Sequence, residues 1–298
     1  MSQPAYESHG GLWLGLIIAC AAVLLIVQAC AMSSHSGAYD RSQEYQPMPV
    51  RSANATAAAS PTDPSATPSA TPKATNVPAI DAAQPQSVQT AVFALGCFWG
   101  SDALYGSLPG VIHTRVGYCG GTTDNPTYHA ISDYTESVQV DFDPSVITYD
   151  QLLTVFWTNC DPEARAWSRQ YKSVAFYDGD EQKKAAQASR DRIAKDRGIT
   201  VRTELLPVTK FYNAEGYHQK YNLQQNRALM REFAVYYPDL TDFANSTAAA
   251  RINGYLDGFG SIEQFDREKA GYSLSPAAQQ TLADIINSHP PKSCGLGN

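Results

Sequence analysis

Between residues 87 and 208, short apolar stretches that favour strands alternate with amphipathic stretches that favour helices. SVQTAVFAL ends at Gly96, and ESVQVDFDP alternates apolar with polar side chains, as half-buried strands do. TYDQLLTVFWTNCD carries apolar residues at helical spacing, and DEQKKAAQASRDRIAKDRG begins with acidic residues and ends in glycine. The predicted order is β-α-β-β-α-β-α-β. Its first six elements match the split βαβ arrangement of ferredoxin-like, two-layer α+β sandwiches with a βαββαβ core.

The flanking segments differ in composition from this core. Residues 210–298 predict a loop-rich C-terminal extension with one clear helix, SPAAQQTLADIIN, in which Ser275 is the N-cap and Pro276 the first helical residue. Residues 32–85 are rich in Ser, Thr, Ala and Pro, which predicts a disordered linker that buries no core. The predicted boundaries are a polar N-terminus at 1–10, an apolar helix at 11–31, the linker at 32–85, a main domain at 86–245 and an extension at 246–298.

Residues 11–31 are uncharged and apolar. A helix of this length reaches roughly 30 Å, the thickness of a bilayer core, so the sequence predicts a single-pass transmembrane anchor. Cleavage as a signal peptide at Ala29-Cys30-Ala31, or lipidation within VQAC, is an open alternative that would give a secreted or lipid-anchored protein. Arg41 and Arg51 follow the span and favour a cytoplasmic C-terminal side. The Ser/Thr/Pro-rich stretch also fits a glycosylated lumenal stalk, so the side of the membrane stays open.

Charge and cysteine spacing exclude several classes of function. The net charge is −7 and no long Lys/Arg block is present, which argues against a nucleic-acid partner. Cysteines stand at 20, 30, 97, 119, 160 and 294 without a CxxC pair, so neither a zinc cluster nor a small disulfide scaffold is expected. The sequence predicts a monomer without metal or organic cofactor, either in a reducing setting or acting as a thiol enzyme.

Cys97, in ALGCFWGS, lies where the first predicted strand ends and the first helix begins. Backbone N–H groups and the helix dipole favour a thiolate there, which predicts a pKa below the reference value of about 8.5. Gly96 lets another molecule approach closely, and Phe98 and Trp99 can form an apolar wall for a small substrate group. Position alone leaves two interpretations: a nucleophile beside a pocket, or a structural thiol in a Cys-Phe-Trp core patch.

Seven stretches occur in the order seen in type A peptide methionine sulfoxide reductases: GCFWG, LPGVIHTRVGYCGG, NPTYH, TESVQVDFDP, LLTVFWTNCDP, RQYKSVAFY and FYNAEGYHQKY. The chain resembles this family over about residues 90–226, and its tail, KSCGLGN, resembles tails that carry a recycling cysteine. The resemblance implies that Cys97 attacks the sulfur of the S epimer of methionine sulfoxide, protein-bound or free. Glu136 would protonate the oxygen, and Cys97 would become a sulfenic acid as methionine is released.

The resemblance also implies roles for further residues. Tyr128 and Tyr171 match tyrosines that bind the sulfoxide oxygen, and Phe98 and Trp99 would hold the S-methyl group. Other residues would line the site: Tyr212, Tyr217 and His218. Cys294 would resolve the sulfenic acid into a disulfide that a thioredoxin-like dithiol reduces. Cys119 and Cys160 are expected to be structural, although the sequence leaves open whether either replaces Cys294.

This chain also departs from the family pattern. DPEARAWSRQYKS is shorter than the matching loop and lacks the Asp that members commonly carry; Asp161 and Glu163 are near that place but not equivalent. Tyr134 replaces a usual His, and Cys160 stands where His is common. Two other functions therefore stay open: a thiol peroxidase or redox sensor that uses Cys97, and an inactive module that binds oxidised methionine. The retained thiol, acid and tyrosines favour turnover.

Overall fold

The computed structural model describes residues 77–83 and 85–296. The predicted apolar helix at 11–31 and the predicted linker up to residue 76 lie outside the described residues. Within the described part, no helix is long and apolar enough to cross a bilayer.

A six-stranded sheet forms the centre of the fold. Its strands are β1 (Gln89–Leu95), β2 (Val111–Cys119), β3 (Thr135–Phe142), β4 (Ser173–Tyr177), β5 (Glu204–Pro207) and β6 (Tyr212–Asn213). They lie in the order β5-β4-β1-β3-β2-β6. β1 pairs antiparallel with β3 and β4, β2 pairs antiparallel with β3 and β6, and β4 runs parallel to β5.

β1 is apolar along most of its length because both of its faces are covered. Phe93 belongs to the main core on one face, whereas Val92 and Ala94 join a smaller cluster on the other. A continuous apolar run is expected in a strand that meets water on neither face. β1 ends at Leu95, so the next two residues emerge at the end of a buried central strand.

A short helix, α1 (Ala79–Ala82), precedes the sheet. Ile80 packs against the C-terminal helices. Asp81 accepts hydrogen bonds from the Tyr237 hydroxyl, from Ser246 Oγ at 2.9 Å and from Ala248 N at 3.0 Å. Residues 79–82 of the predicted linker are therefore helical and docked. The Asp81 carboxylate accepts hydrogen bonds from three residues that lie far away in sequence, and composition alone does not reveal such contacts.

Three helices cover one face of the sheet: α2 (Phe98–Gly106), α3 (Tyr149–Thr158) and α4 (Gly179–Arg197). α3 begins with a capping box, in which Thr148 Oγ1 accepts from Gln151 N at 3.2 Å and Gln151 Oε1 accepts from Thr148 N at 2.9 Å. Gly198 ends α4 at φ +63°. The predicted apolar stripe of α3 is buried in the main core, as expected: Tyr149, Leu152, Leu153, Phe156 and Trp157.

The C-terminal extension is helical. It contains α5 (Tyr221–Gln225), α6 (Arg227–Phe233), α7 (Leu240–Ala244), α8 (Thr247–Leu256), α9 (Ile262–Glu268) and α10 (Pro276–Asn287). The prediction of a loop-rich extension is therefore wrong. α8 is buried on nearly all sides, and polar residues such as Arg251 and Asn253 are buried along with its apolar ones. The prediction for α10 is correct, since Ser275 accepts from Ala278 N and Pro276 is the first helical residue.

The mixed α+β class with a single sheet is confirmed for the described residues. The six elements from β1 to β4 occur in the predicted order, followed by α4 and β5. The C-terminal helices share a second core that includes Phe233, Phe243, Tyr255, Phe265 and Tyr272. Since α8 also packs on α2, this second core supports the helix that begins after Cys97.

Candidate functional site

Cys97 occupies the turn between β1 and α2. It is the N-cap of α2, with φ −61° and ψ 121°. The preceding Gly96 has φ +79°, a left-handed conformation that favours glycine. Cys97 is exposed and forms no disulfide with any of the other described cysteines. The thiol is therefore open to an incoming molecule.

The pKa of Cys97 differs from the sequence prediction. Although the residue is exposed, the surrounding protein removes enough water from the thiol that desolvation raises its pKa, and the charge of Glu136 raises it further. The backbone N–H groups of Trp99 and Gly100 lower the pKa, as expected at a helix start, but do not dominate. The prediction of a lowered pKa is therefore wrong. Protonation of Glu136 removes one of the two main influences that disfavour the thiolate.

Glu136, on β3, is only 1% exposed. Its Oε2 accepts a hydrogen bond from Phe98 N at 3.1 Å, and its Oε1 accepts one from Gln170 Nε2 at 2.7 Å. Burial raises the pKa of this carboxyl, while the hydrogen bonds from Gln170 and Phe98 N oppose the rise. A buried carboxyl with a raised pKa is thus held against the residue that follows Cys97.

Gln170 links the acid to Tyr171. Its backbone oxygen accepts from Glu136 N at 2.9 Å, and its Nε2 also donates to Tyr171 Oη at 3.1 Å. Burial raises the pKa of Tyr171, and the neighbouring Tyr128 and Glu136 side chains raise it further. Sequence reasoning missed Gln170 because a neutral amide has no chemistry of its own. In the sequence, only its position directly before Tyr171 indicated that Gln170 could belong to the site.

Two aromatic side chains form a wall beside the thiol. Phe98 is buried, and its ring centroid lies 6.5 Å from that of Tyr128 and 5.0 Å from that of His218. Trp99 stacks on Tyr221 with centroids 3.7 Å apart, and its Nε1 donates to His218 Nδ1 at 3.2 Å. The indole is therefore fixed through both its face and its edge.

His218 is neutral at pH 7. Desolvation lowers its pKa to about 4, against an opposing influence of Glu215. Because Nδ1 accepts from Trp99, the hydrogen-bond pattern assigns the proton to Nε2. Nε2 is buried and has no hydrogen-bond partner among the described residues. The exposed Tyr217 ring lies 4.1 Å from the imidazole.

A buried ion pair fixes the segment that carries His218. Lys220 is completely buried, and its Nζ donates to Asp102 Oδ1 at 3.1 Å and to Thr114 O at 2.5 Å. The Lys220 N–H also donates to Asp102 Oδ2 at 2.9 Å. Asp102 lies on α2, five residues beyond Cys97. The pair therefore joins the His218 segment to the helix that starts at the thiol.

Tyr212 is less directly placed than the other predicted residues. Its hydroxyl donates to Asp124 Oδ1 at 3.0 Å and its ring meets Tyr134 edge-on at 5.7 Å, so it contributes to the outer side of the aromatic cluster. Sequence reasoning also missed Glu215. Its carboxylate accepts from Tyr128 N at 3.0 Å and from the Tyr118 hydroxyl at 2.8 Å, which orients the Tyr128 backbone.

The shortened loop carries no carboxylate in this hydrogen-bond network. Asp161 accepts from Glu163 N at 3.0 Å within its own turn, and both residues are exposed. Trp167 from the same loop is 82% exposed and stacks on Tyr171 with centroids 5.2 Å apart. An exposed indole, rather than an acid, therefore borders the tyrosine side of the site.

The other described cysteines lie at three separate places. Cys119 is fully buried in the small cluster beneath the sheet, and burial raises its pKa to about 11. Cys160 follows α3 and is partly buried, and burial raises its pKa to about 12. Cys294 is also partly buried and packs against the main core, with its carbonyl accepting from Asn159 Nδ2 at 3.2 Å. All of them are free thiols.

The structure thus brings an exposed thiol, a buried acid with a raised pKa, two neighbouring tyrosines and an aromatic wall to one end of the sheet. These residues are Cys97, Glu136, Tyr128, Tyr171, Phe98, Trp99, Tyr217 and His218. Such a constellation can bind a polar oxygen beside an apolar group, donate a proton to that oxygen and attack the atom between them. Tyr212 lies at the periphery, and Cys294 lies on a tail docked near the end of α3.

Comparison with known proteins agrees with this chemistry. A family model described as peptide methionine sulfoxide reductase matches residues 89–251, more than half of the chain. A second model, described as selenoprotein methionine sulfoxide reductase A, helical domain, matches residues 241–287. The second match covers α8 to α10, the part for which the sequence predicted mainly loops.

Individual relatives carry the same description. A peptide methionine sulfoxide reductase of Drosophila melanogaster is 42% identical over 193 residues, covering 64% of this chain and 77% of that protein. Peptide methionine sulfoxide reductase A5 of Oryza sativa subsp. japonica is 39% identical over 180 residues, covering 58% and 70%. The solved structure of methionine sulfoxide reductase A of Corynebacterium diphtheriae is 28% identical with a TM-score of 0.42, covering 53% of this chain and 86% of that one.

The family model spans more than half of the chain, and the Drosophila relative matches it over 77% of its own length. The chain belongs to the peptide methionine sulfoxide reductase family, and it is an oxidoreductase.

Proposed function

We propose that the protein reduces the S epimer of methionine sulfoxide to methionine, in oxidised proteins and as the free amino acid. One observation carries the proposal: the buried Glu136 carboxyl, whose pKa is raised by desolvation, accepts a hydrogen bond from the N–H of Phe98, the residue after Cys97. A thiol peroxidase has no need of an acid and two tyrosine hydroxyls that converge beside an aromatic wall.

In the first step, the Cys97 thiolate attacks the sulfoxide sulfur. Glu136 gives its proton to the sulfoxide oxygen, which makes that oxygen a competent leaving group. The sulfoxide S–O bond and the transient bond between the two sulfurs then break as the oxygen bonds to the cysteine sulfur, so that methionine is released and Cys97 becomes a sulfenic acid. Two electrons pass from the cysteine sulfur to the methionine sulfur. The proton lost by Cys97 restores the neutral acid.

Substrate binding uses the polar and apolar sides of the site separately. The Tyr128 and Tyr171 hydroxyls hold the oxygen, and Phe98 and Trp99 contact the S-methyl group. Because sulfur in a sulfoxide is pyramidal, an oxygen site and a methyl site on fixed walls accept one epimer. The stacking of Trp99 on Tyr221 and its bond to His218 support a fixed wall.

In the second step, the thiolate of Cys294 attacks the Cys97 sulfur, water leaves and a disulfide forms. An external dithiol then attacks this disulfide by two successive exchanges and is itself oxidised. We propose a thioredoxin-like protein as this reductant. The overall reaction converts one sulfoxide and one dithiol into methionine, water and one disulfide.

A single-turnover assay tests the proposal. Purified protein with excess S-epimer substrate and no reductant is expected to release one methionine per chain, whereas Cys97→Ser releases none. Cys294→Ser is expected to give the same yield but to leave a sulfenic acid at Cys97 that dimedone traps. Cys119→Ser is the matched control, because Cys119 is buried on the opposite face of the sheet. Full methionine release by Cys97→Ser refutes the proposal.

Residues 11–31 are proposed to anchor the protein in a membrane as a single span, supported by their length and lack of charge. Extraction of membranes with alkaline carbonate tests this. Full-length protein is expected in the pellet, and release into the supernatant contradicts the anchor.

A further inference from the structure

The tail that carries Cys294 is docked at two points rather than free. We infer that Lys292 and Asn159 form a clamp that positions Cys294 for attack on the oxidised Cys97. This inference rests on the proposed function, because it concerns the step that follows sulfenic acid formation. It gives the helical extension a role in the reaction, since one half of the clamp lies at the end of α8.

Lys292 holds the tail through three contacts with one loop. Its backbone N–H donates to Gly258 O at 2.8 Å. Its Nζ lies 3.3 Å from Asp257 Oδ2 and 5.1 Å from the centroid of the Phe259 ring. Asp257 directly follows α8. The side chain and backbone of Lys292 thus bind the same three-residue turn, two residues before Cys294.

The second half of the clamp lies at the end of α3. Asn159 Nδ2 donates to the Cys294 carbonyl at 3.2 Å and to Val155 O at 2.9 Å, so the amide ties the tail to the helix. Gly295 follows at φ +88°, and a Cβ at this position would collide with Thr158. The backbone on both sides of the cysteine sulfur is therefore held.

The clamp lies within electrostatic reach of the nucleophile. The charge of Asp257 contributes to the raised pKa of Cys97, after the larger influences of desolvation, the nearby N–H groups and Glu136. Leu95, two residues before Cys97, packs against the same core cluster as Cys294. Confining one thiol near another raises its effective concentration, so the rate of disulfide formation depends on how firmly the tail is held.

The experiment measures the lifetime of the Cys97 sulfenic acid in full-length protein. One equivalent of S-epimer substrate starts the reaction without reductant, and dimedone added at increasing delays reports the sulfenic acid that remains. The variants are Lys292→Met, which keeps the stem but removes the charge, and Lys292→Arg, which restores it. Lys269→Met is the control, because Lys269 pairs with Asp266 at 2.8 Å and lies 6.0 Å from the Phe265 ring without touching the tail.

Loss of a half-exposed ion pair and a cation–π contact is expected to lengthen the lifetime about three- to fivefold in Lys292→Met. Lys292→Arg and Lys269→Met are expected to match wild type, and the methionine burst is expected to stay complete in all variants. The difference should shrink in 1 M salt, where ion pairs are screened. Gly295→Ala, which disturbs the other half of the clamp, is expected to act in the same direction.

Equal lifetimes in wild type and Lys292→Met, with a complete burst in both, overturn the clamp while leaving the proposed function intact. An absent burst in wild-type protein refutes the proposed function itself. A sulfenic acid that decays as fast in Cys294→Ser as in wild type shows that another thiol resolves it, which also overturns the clamp.

Discussion

Gln170 is expected to control the proton affinity of the candidate acid. Its Nε2 lies 2.7 Å from Glu136 Oε1 and favours the ionised carboxylate, because hydrogen bonds to the charged form lower a carboxyl pKa. Gln170→Met keeps a side chain of similar length but removes the donor. The pKa of Glu136 should therefore rise further above its ordinary value.

The size of this rise follows from the strength of the bond. A hydrogen bond to a charged group contributes roughly 1.5–3 kcal/mol, and one pKa unit corresponds to about 1.4 kcal/mol, so we expect a rise of about one to two units. Active protein needs a protonated Glu136 and an ionised Cys97, and the carboxyl loses its proton first as pH rises. The protein with one proton on these two groups dominates between the pKa of Glu136 and the pKa of Cys97, so the pKa of Glu136 sets the acid limb of kcat/KM against pH. This limb should therefore move to higher pH by the same one to two units.

The assay is that pH profile, supported by NMR titration of the Glu136 side-chain carboxyl carbon. Gln182→Met is the control, because Gln182 is a remote amide that donates to Thr90 O at 2.8 Å. An acid limb and a carboxyl titration that stay in place, or move downward, in Gln170→Met refute the reasoning.

Three further predictions concern the acid, the aromatic wall and the buried ion pair. Glu136→Gln should lower kcat/KM by about 10²–10⁴-fold. At pH values above the pKa of Glu136 the variant should also have a higher Tm than wild type, whereas at pH 4 it should not. Between about pH 4.5 and the raised pKa of the folded state, the unfolded chain has already lost the proton that the folded state keeps, so wild-type stability falls as pH rises. No gain in Tm at pH 8 argues against a raised pKa. Trp99→Phe removes the donor to His218 but keeps a ring, and the lost hydrogen bond should raise KM about fivefold with a smaller change in kcat. A fall in kcat at constant KM would contradict a binding role. Lys220→Met leaves Asp102 buried without its ion-pair partner and should cost about 3–5 kcal/mol in urea unfolding, partly recovered in Lys220→Met/Asp102→Asn. Equal unfolding midpoints for wild type and the single variant would show that the pair does not hold the His218 segment.

The sequence predicted the sheet and its covering helices because their patterns are local. The strand predicted from ESVQVDFDP is β3, Thr135–Phe142, and the caps of α3 and α10 use side chains within three residues. α8 escaped prediction because its side chains are buried against two layers at once. Arg251, for example, donates to the backbone oxygens of Gly106, Leu108 and Val111, contacts that no periodicity in a single segment encodes.

The candidate site was predictable where a reactive group carries the chemistry. Cys97, Glu136 and the two tyrosines were found from motifs, and the structure places them together. The residues that orient them were missed, because Gln170 and Glu215 act through hydrogen bonds between distant segments. The sign of the Cys97 pKa shift was also missed, since desolvation and the charge of Glu136 depend on tertiary packing.

The most direct test of the central claim compares the two sulfur epimers of a blocked methionine sulfoxide. The full-length chain and its Cys97→Ser variant would each be assayed with dithiothreitol. Release of methionine from the S epimer only, and its loss in Cys97→Ser, is the predicted result. Turnover of the R epimer at a comparable rate, or turnover that survives the loss of Cys97, would contradict the account.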